Sequence, residues 1–143
     1  MSVGAHCAIS TSPVAFGQYD SVVAHRTRDL NAAGAITITC VKGTMPTVAL
    51  GRGTNAAGPK RRMRAAPGRF LDYELYQPAS NTPGAPCTYS GAGLWGSSAA
   101  GLFSPGAAPT KQPRTFNVCG TVAAGQDPRP GDYVDTVVAT VNF

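Results

Sequence analysis

An all-β domain is what this sequence predicts, on three observations. Gly (17) and Pro (12) are abundant, charged residues make up only 13% of the chain, and no window holds a sustained apolar i, i+3, i+4 pattern. Short strands joined by tight turns fit that balance better than helices do. Several short runs alternate apolar and polar residues, the signature of a strand with one buried face. The strongest alternation closes the chain: Val137, Ala139, Val141 and Phe143 share one face, and Thr136, Val138, Thr140 and Asn142 the other. A sandwich ending on such a strand has no later segment to cover its edge, and an uncovered apolar edge aggregates unless a partner fills it. The pattern points to a subunit completed by a strand from elsewhere. The 143 residues suit one domain, 1–143, long enough to bury a core.

Taken in order, Val3, Ala5, Cys7 and Ile9 alternate as a first strand that leads to a turn at Ser10–Pro13. Val14 to Tyr19 resumes it. Ala35 to Val41 places Ile36, Ile38 and Cys40 on one face, and after the turn Lys42-Gly43-Thr44 the next strand is Thr47 to Gly51. Arg52 to Pro59 reads as loop. Arg61 to Arg64 is short and extended, and Pro67-Gly68 turns the chain. Phe70 to Tyr76 then puts Leu71, Tyr73 and Leu75 inward, with Asp72 and Glu74 outward and Glu74 without an evident partner. Gln77 to Pro113 is rich in Pro, Gly, Ser and Ala, with a turn at Ser90-Gly91 and an apolar knot at Leu94-Trp95 and Leu102-Phe103. A long irregular segment inside a compact domain is often functional. Thr115 to Val122 restores a strand, and Asp132 to Phe143 is the last. Some seven short strands separated by turn signals suggest an immunoglobulin-like sandwich or a related barrel.

Four cysteines, Cys7, Cys40, Cys87 and Cys119, form an even set without C-x-x-C or H-x-x-x-H spacing. Disulfides in an oxidising compartment account for them better than zinc or redox chemistry. Three connectivities remain open to the sequence. The order of segments suggests Cys7–Cys40 and Cys87–Cys119, each bridge contributing about 2–4 kcal/mol. Met1 to His6 carries neither the basic nor the apolar region of a signal peptide, so the chain reads as the mature or trimmed form of a secreted protein. No apolar run approaches the ~20 residues of a membrane span, which argues against membrane insertion.

The formal charge of +5 comes mainly from Arg26, Arg28 and the run Lys60-Arg61-Arg62-Met63-Arg64. These read as solvated charges. No aromatics interleave with the run as a single-strand nucleic-acid binder requires. Enzyme readings fare poorly: His6 and His25 are the only histidines, and no G-x-S-x-G elbow frames a nucleophile. Asp135 shares the inward parity of Tyr133 and Val137, and is expected to cap backbone groups or bind an arginine rather than to catalyse. No cofactor or metal is expected. Leu94, Trp95, Leu102 and Phe103 are expected to form a lid on the core; protruding, they would be an apolar tip for surface contact.

Several segments stand in a recognisable order: Phe16-Gly17-Gln18-Tyr19, Gly34 to Cys40, Val48-Ala49-Leu50-Gly51-x-Gly53, Arg61-Arg62-Met63, Leu71-x-Tyr73-x-Leu75-Tyr76, Trp95-Gly96, Gly125-Gln126 and Gly131-x-Tyr133-x-Asp135-Thr136-Val137. Together they resemble the spore coat protein U domain family, whose members include subunits of archaic (Csu-type) chaperone–usher pili. The resemblance runs from about Cys7 to Phe143. It implies an incomplete immunoglobulin-like sandwich lacking its last strand. A periplasmic chaperone would lend a strand to the groove, and an N-terminal extension of a neighbouring copy would replace it at an outer-membrane usher. Backbone hydrogen bonds along the edge and alternate apolar plugs would supply the affinity. The resemblance further implies a secreted surface filament, reached through the periplasm, that serves adhesion and biofilm formation. By that plan Cys7 pairs with Cys40, and Tyr133, Val137, Ala139, Val141 and Phe143 line the acceptor groove.

One departure concerns the donor. A usable donor strand needs roughly ten extended residues at about 3.3 Å each. Only Met1 to His6 precede Cys7 here, with Val3 and Ala5 as the clear plugs of this short N-terminal segment. Donation continues through Cys7 and Ile9, or residues are missing, or the subunit accepts without donating. The last case is a tip adhesin or a monomeric coat protein that binds a surface or glycan. The Cys87/Cys119 pair lies outside the family's general pattern and is expected to pin the long Gly/Pro segment to the Phe116–Val122 strand.

Overall fold

Seven strands are assigned among the residues that the computed structural model describes, 1–89 and 93–143. They are β1 (Cys7–Ser12), β2 (Leu30–Cys40), β3 (Thr47–Leu50), β4 (Arg61–Ala65), β5 (Arg69–Tyr76), β6 (Arg114–Val122) and β7 (Ala139–Asn142). All pairing is antiparallel. One sheet has five strands in the order β1-β2-β6-β5-β4, and β3 pairs with β7 in a second. An isolated bridge pairs Arg64 of β4 with Val134, in the segment that leads to β7. Helix among the described residues is a single 3-10 turn at Ala99–Gly101. The fold is the all-β sandwich that the alternation predicts.

The core lies between the sheets. Ile36 and Ile38 of β2, Val48 and Leu50 of β3, Met63 of β4, Leu71, Tyr73 and Leu75 of β5, and Phe116, Val118 and Val122 of β6 are all buried. Their period of two is what a half-buried sheet demands. Trp95 is fully enclosed, its indole N–H donating to the Val48 carbonyl at 2.9 Å. The Phe103 ring lies 5.0 Å from both Trp95 and Phe116. Trp95 and Phe103 are therefore core residues, Leu102 is half-buried, and Leu94 alone of that knot is exposed. A protruding apolar tip built on Trp95 and Phe103 is ruled out, because each already has aromatic neighbours in the interior.

Disulfides join Cys7 to Cys40 and Cys87 to Cys119. The first links directly opposed residues of β1 and β2. The second fastens the irregular Gly/Pro segment to β6.

Several local expectations need correction. The first strand starts at Cys7, and Val3 and Ala5 lie exposed outside any ladder. It also runs through the expected turn to Ser12, because β2 offers partners as far as Ala35. Pro13, with no N–H to donate, ends it. Val14 to Tyr19 is apolar enough for a strand but has no ladder partner. β2 begins five residues early, at Leu30, because β6 supplies partners back to Val122. The closing strand forms a ladder only over Ala139–Asn142, where β3 lies alongside. The turn expected at Ser90-Gly91 lies outside the described residues.

Candidate functional site: an open groove between two edges

Beyond the ends of β1 and β7 the sandwich stays open. A groove of about 1180 Å³ runs between the segment around Pro13–Tyr19 and the segment around Asp132–Ala139. Its floor is the core itself: Ile36, Leu50, Met63, Leu71, Tyr73, Leu75, Val118 and Val122.

The first lip follows from Pro13 and two glycines. Released from the ladder, Val14 and Phe16 fold down over β2 and β6 and become half-buried against the core. They fit because the strands beneath carry no side chain there. A Cβ on Gly120 would lie 2.6 Å from the Phe16 ring and 2.7 Å from Val14, and one on Gly34 2.8 Å from Val14. A glycine inside a strand commonly marks such a close approach. The lip ends in a polar anchor. The Tyr19 hydroxyl donates to the Ala123 carbonyl at 2.8 Å and accepts the Gln126 N–H at 3.1 Å. The Gln126 side-chain amide pairs with both backbone groups of Asp72, at 2.9 and 3.0 Å. It takes the place of a strand residue where β6 has already ended its pairing with β5. Next to Tyr19, the Asp20 carboxylate accepts N–H bonds from Val22 and Val23, which hold it below the usual carboxylate range.

The second lip is bonded at alternate residues. Arg64 and Val134 exchange two backbone hydrogen bonds, of 2.8 and 3.1 Å, and Thr136 and Val138 accept from Thr54 and Gly51, both at 3.0 Å. In a strand, alternate residues direct their backbone groups to opposite edges. Among the described residues, no partner bonds the backbone N–H or C=O of Tyr133, Asp135 or Val137. The same holds for the backbone of Val14 to Gln18 on the facing lip. Two unpaired edges thus confront each other across an apolar floor.

Asp135 fastens the second lip from below. Its Oδ1 accepts the Asn55 backbone N–H at 3.2 Å and the Asn55 side-chain amide at 2.9 Å, and Oδ2 accepts the Tyr73 hydroxyl. It caps backbone as expected, but its side-chain partners are Asn55 and Tyr73 rather than an arginine. Burial, then the carboxylate itself, push the Tyr73 phenol well above its ordinary value. Gly53, at φ +95°, passes so close that any Cβ would overlap the Asp135 carboxylate.

Arg61 lies deeper, and its role went unseen in the sequence. It is 4% exposed, not solvated. Its guanidinium donates to the carbonyls of Gly51 (2.8 Å), Leu50 (3.3 Å) and Trp95, and pairs with Glu74 at 3.1 Å. Glu74 therefore does have a partner. The available signal was parity, since Arg61 shares the inward face of Met63 and Ala65.

Of the residues assigned to an acceptor groove, Tyr133, Val137 and Ala139 line the opening. Val141 is half-buried against the core outside it, and Phe143 is 56% exposed, its ring meeting His6 at 5.3 Å. Among the described residues no group of three His, Cys, Asp or Glu side chains is placed to hold a metal ion. Among the described residues no helix is long and apolar enough to cross a membrane.

Comparison with known proteins bears on this geometry. The profile of the Spore Coat Protein U domain matches residues 1–140. Protein U of Myxococcus xanthus is 32% identical over 161 aligned positions, covering 99% of this chain and 80% of that protein. Among solved structures, a similar fold occurs in the crystal structure of the CsuC-CsuE chaperone-tip adhesion subunit pre-assembly complex from archaic chaperone-usher Csu pili of Acinetobacter baumannii. The match to one of its chains has a TM-score of 0.66 at 24% identity and covers 99% of this chain. This chain spans 40% of the length of that one.

Proposed function

The chain belongs to the Spore Coat Protein U domain family, and from that premise we propose that it is a structural subunit of a secreted surface filament, assembled by strand donation into the open groove. The observation that carries the reading is the pair of unpaired backbone edges facing each other over an apolar floor. An extended segment laid between them would pair with both. Its alternate side chains would replace water against Leu50, Leu71, Leu75 and Val118. Such burial yields roughly 25 cal/mol per Å² of apolar surface.

In this reading the occupant in the filament is a segment of a neighbouring copy or a related subunit. A periplasmic chaperone fills the same groove beforehand, and an outer-membrane usher exchanges the two. The product is a cell-surface fimbrium serving attachment and biofilm formation. Val3 and Ala5 are the donor's plugs within this chain, and their exposure leaves them available. A tip subunit or coat protein would accept a strand without donating one.

Electron microscopy of the secreted material at tracing resolution tests this. The expected result is a strand contributed by a neighbour between Pro13–Tyr19 and Asp132–Ala139. If that strand is the neighbour's own Met1–His6 region, the chain is a stalk subunit. Monomers whose groove is empty or closed by the chain's own segment overturn the filament reading.

A further inference from the structure

We propose that Asp135, held by Tyr73 and Asn55, sets the register of the incoming strand by giving one position along the groove a polar socket for a small hydroxyl-bearing side chain. The inference rests on the strand-accepting reading above. A strand repeats its faces every two residues. A slip by one residue is self-correcting, because it turns every plug outward. A slip by two keeps all the plugs inward, and a floor of Leu50, Met63, Leu71, Leu75 and Val118 offers little to oppose it. Some non-equivalent position has to break that degeneracy.

Asp135 has the required placement. It lines the groove with the same parity as Tyr133 and Val137. Three donors reach its carboxylate, two from Asn55 and one from Tyr73. A carboxylate has about four acceptor positions, so about one stays open. Solvent can reach that position while the groove is open. A seated strand excludes it, and the position then needs a donor from the strand itself. A serine or threonine plug supplies one, whereas a valine or leucine leaves the acceptor unsatisfied.

The socket is built rather than incidental. The Arg52–Pro59 loop brings two N–H groups of Asn55 to one oxygen. Arg62 Nε holds the Asn55 carbonyl at 3.0 Å, and Gly53 adopts a left-handed φ to clear the other oxygen. Fixing register is the best-attested use of a polar group in an apolar seam.

The test uses fluorescent ten-residue peptides that alternate inward valine with outward threonine, titrated by anisotropy into the oxidised full chain. One inward valine is changed to serine at each position in turn. The expected result is a single position at which serine binds about tenfold tighter than at the others. The paired change Asp135→Val with Tyr73→Phe should abolish that preference, so that every serine peptide binds with the same affinity as the others. Equal binding at every serine position overturns the register role but leaves strand acceptance standing. Failure of every peptide to bind overturns both. The scan on the unmodified chain decides the matter even if the paired variant does not fold.

Discussion

The two lips of the groove are held by different chemistry. Asp132–Ala139 is bonded through its backbone at every second residue and fastened from below by the Asp135 carboxylate. Pro13–Tyr19 rests on apolar contact over Gly34 and Gly120, and its polar ties are those of Tyr19 at its far end. Stability is not uniform within a domain, and segments with few buried hydrogen bonds open first. The second lip is thus the fixed template against which a donated strand would pair, and the first is the flap that would yield to admit it.

The largest effect is expected from Arg61→Ala, beneath the fixed lip. It strips the carbonyls of Leu50, Gly51 and Trp95 of their donor and leaves Glu74 beside the core without a counter-charge. Breaking a buried pair by removing one partner costs about 3–5 kcal/mol. The drop should appear in the denaturant midpoint at unchanged slope. A loss under about 1 kcal/mol would mean that water replaces the guanidinium and the lip is held otherwise.

Gly120→Val strikes the flap. Its added atoms meet Phe16 and Val14, so either the flap lifts or the sheet shifts. Overpacking of this kind costs about 1–3 kcal/mol. The comparison predicts that the damage stays local: the bonded amides of Ala124, Gly125 and Gln126 exchange faster, while those of Thr54 and Val134 do not. Acceleration on both sides would merge the two lips into one cooperative unit.

These two sites also mark the boundary of what the sequence discloses. Leu71-x-Tyr73-x-Leu75 and Ile36-x-Ile38 are legible because both of their strands have neighbours on each side, so period and burial agree. Tyr133, Val137 and Ala139 reveal their inward face for the same reason of parity. The flap is not legible as such. Val14, Phe16 and Tyr19 look like a strand, but a strand exists only where a ladder partner lies alongside, and Pro13 marks where the partner is lost. Arg61 misleads because charge reads as solvent exposure, while the carbonyls that satisfy it lie 10 to 34 residues away in the chain. Sequence periodicity carries faces; it does not carry which edge remains unpaired.

Alkaline pH probes the fixed lip through Tyr73. Burial and the Asp135 carboxylate raise its folded-state value above that of the unfolded chain, near 10. Above that pH the unfolded state releases the proton while the folded state retains it. Stability is therefore undiminished below about pH 10 and falls as pH rises further, by at most about 1.4 kcal/mol per pH unit. Denaturation midpoints should stay level from about pH 9 to 10 and fall from about pH 10 to 11, and Tyr73→Phe should flatten that fall. An unchanged slope in Tyr73→Phe would transfer the effect to other tyrosines and leave the lip's polar fastening without this signature.

The smallest change is the most selective. Tyr19→Phe keeps the ring stacked on His25, at 5.1 Å, but removes the hydroxyl that bonds Ala123 and Gln126. One neutral hydrogen-bonding group is worth about 1 kcal/mol net. The Ala123 carbonyl is within reach of the Gln126 side chain, at 3.2 Å, so part of the loss is recovered in place. The global midpoint should move by no more than about 1 kcal/mol, whereas the flap, deprived of its anchor, should open more often. If the groove admits a strand past this flap, Tyr19→Phe should speed peptide association and leave dissociation nearly unchanged. That kinetic asymmetry is what separates a flap from a wall. Equal acceleration of both rates would show Tyr19 to be part of the bound interface, and the contrast between a template lip and a yielding lip would have to be given up.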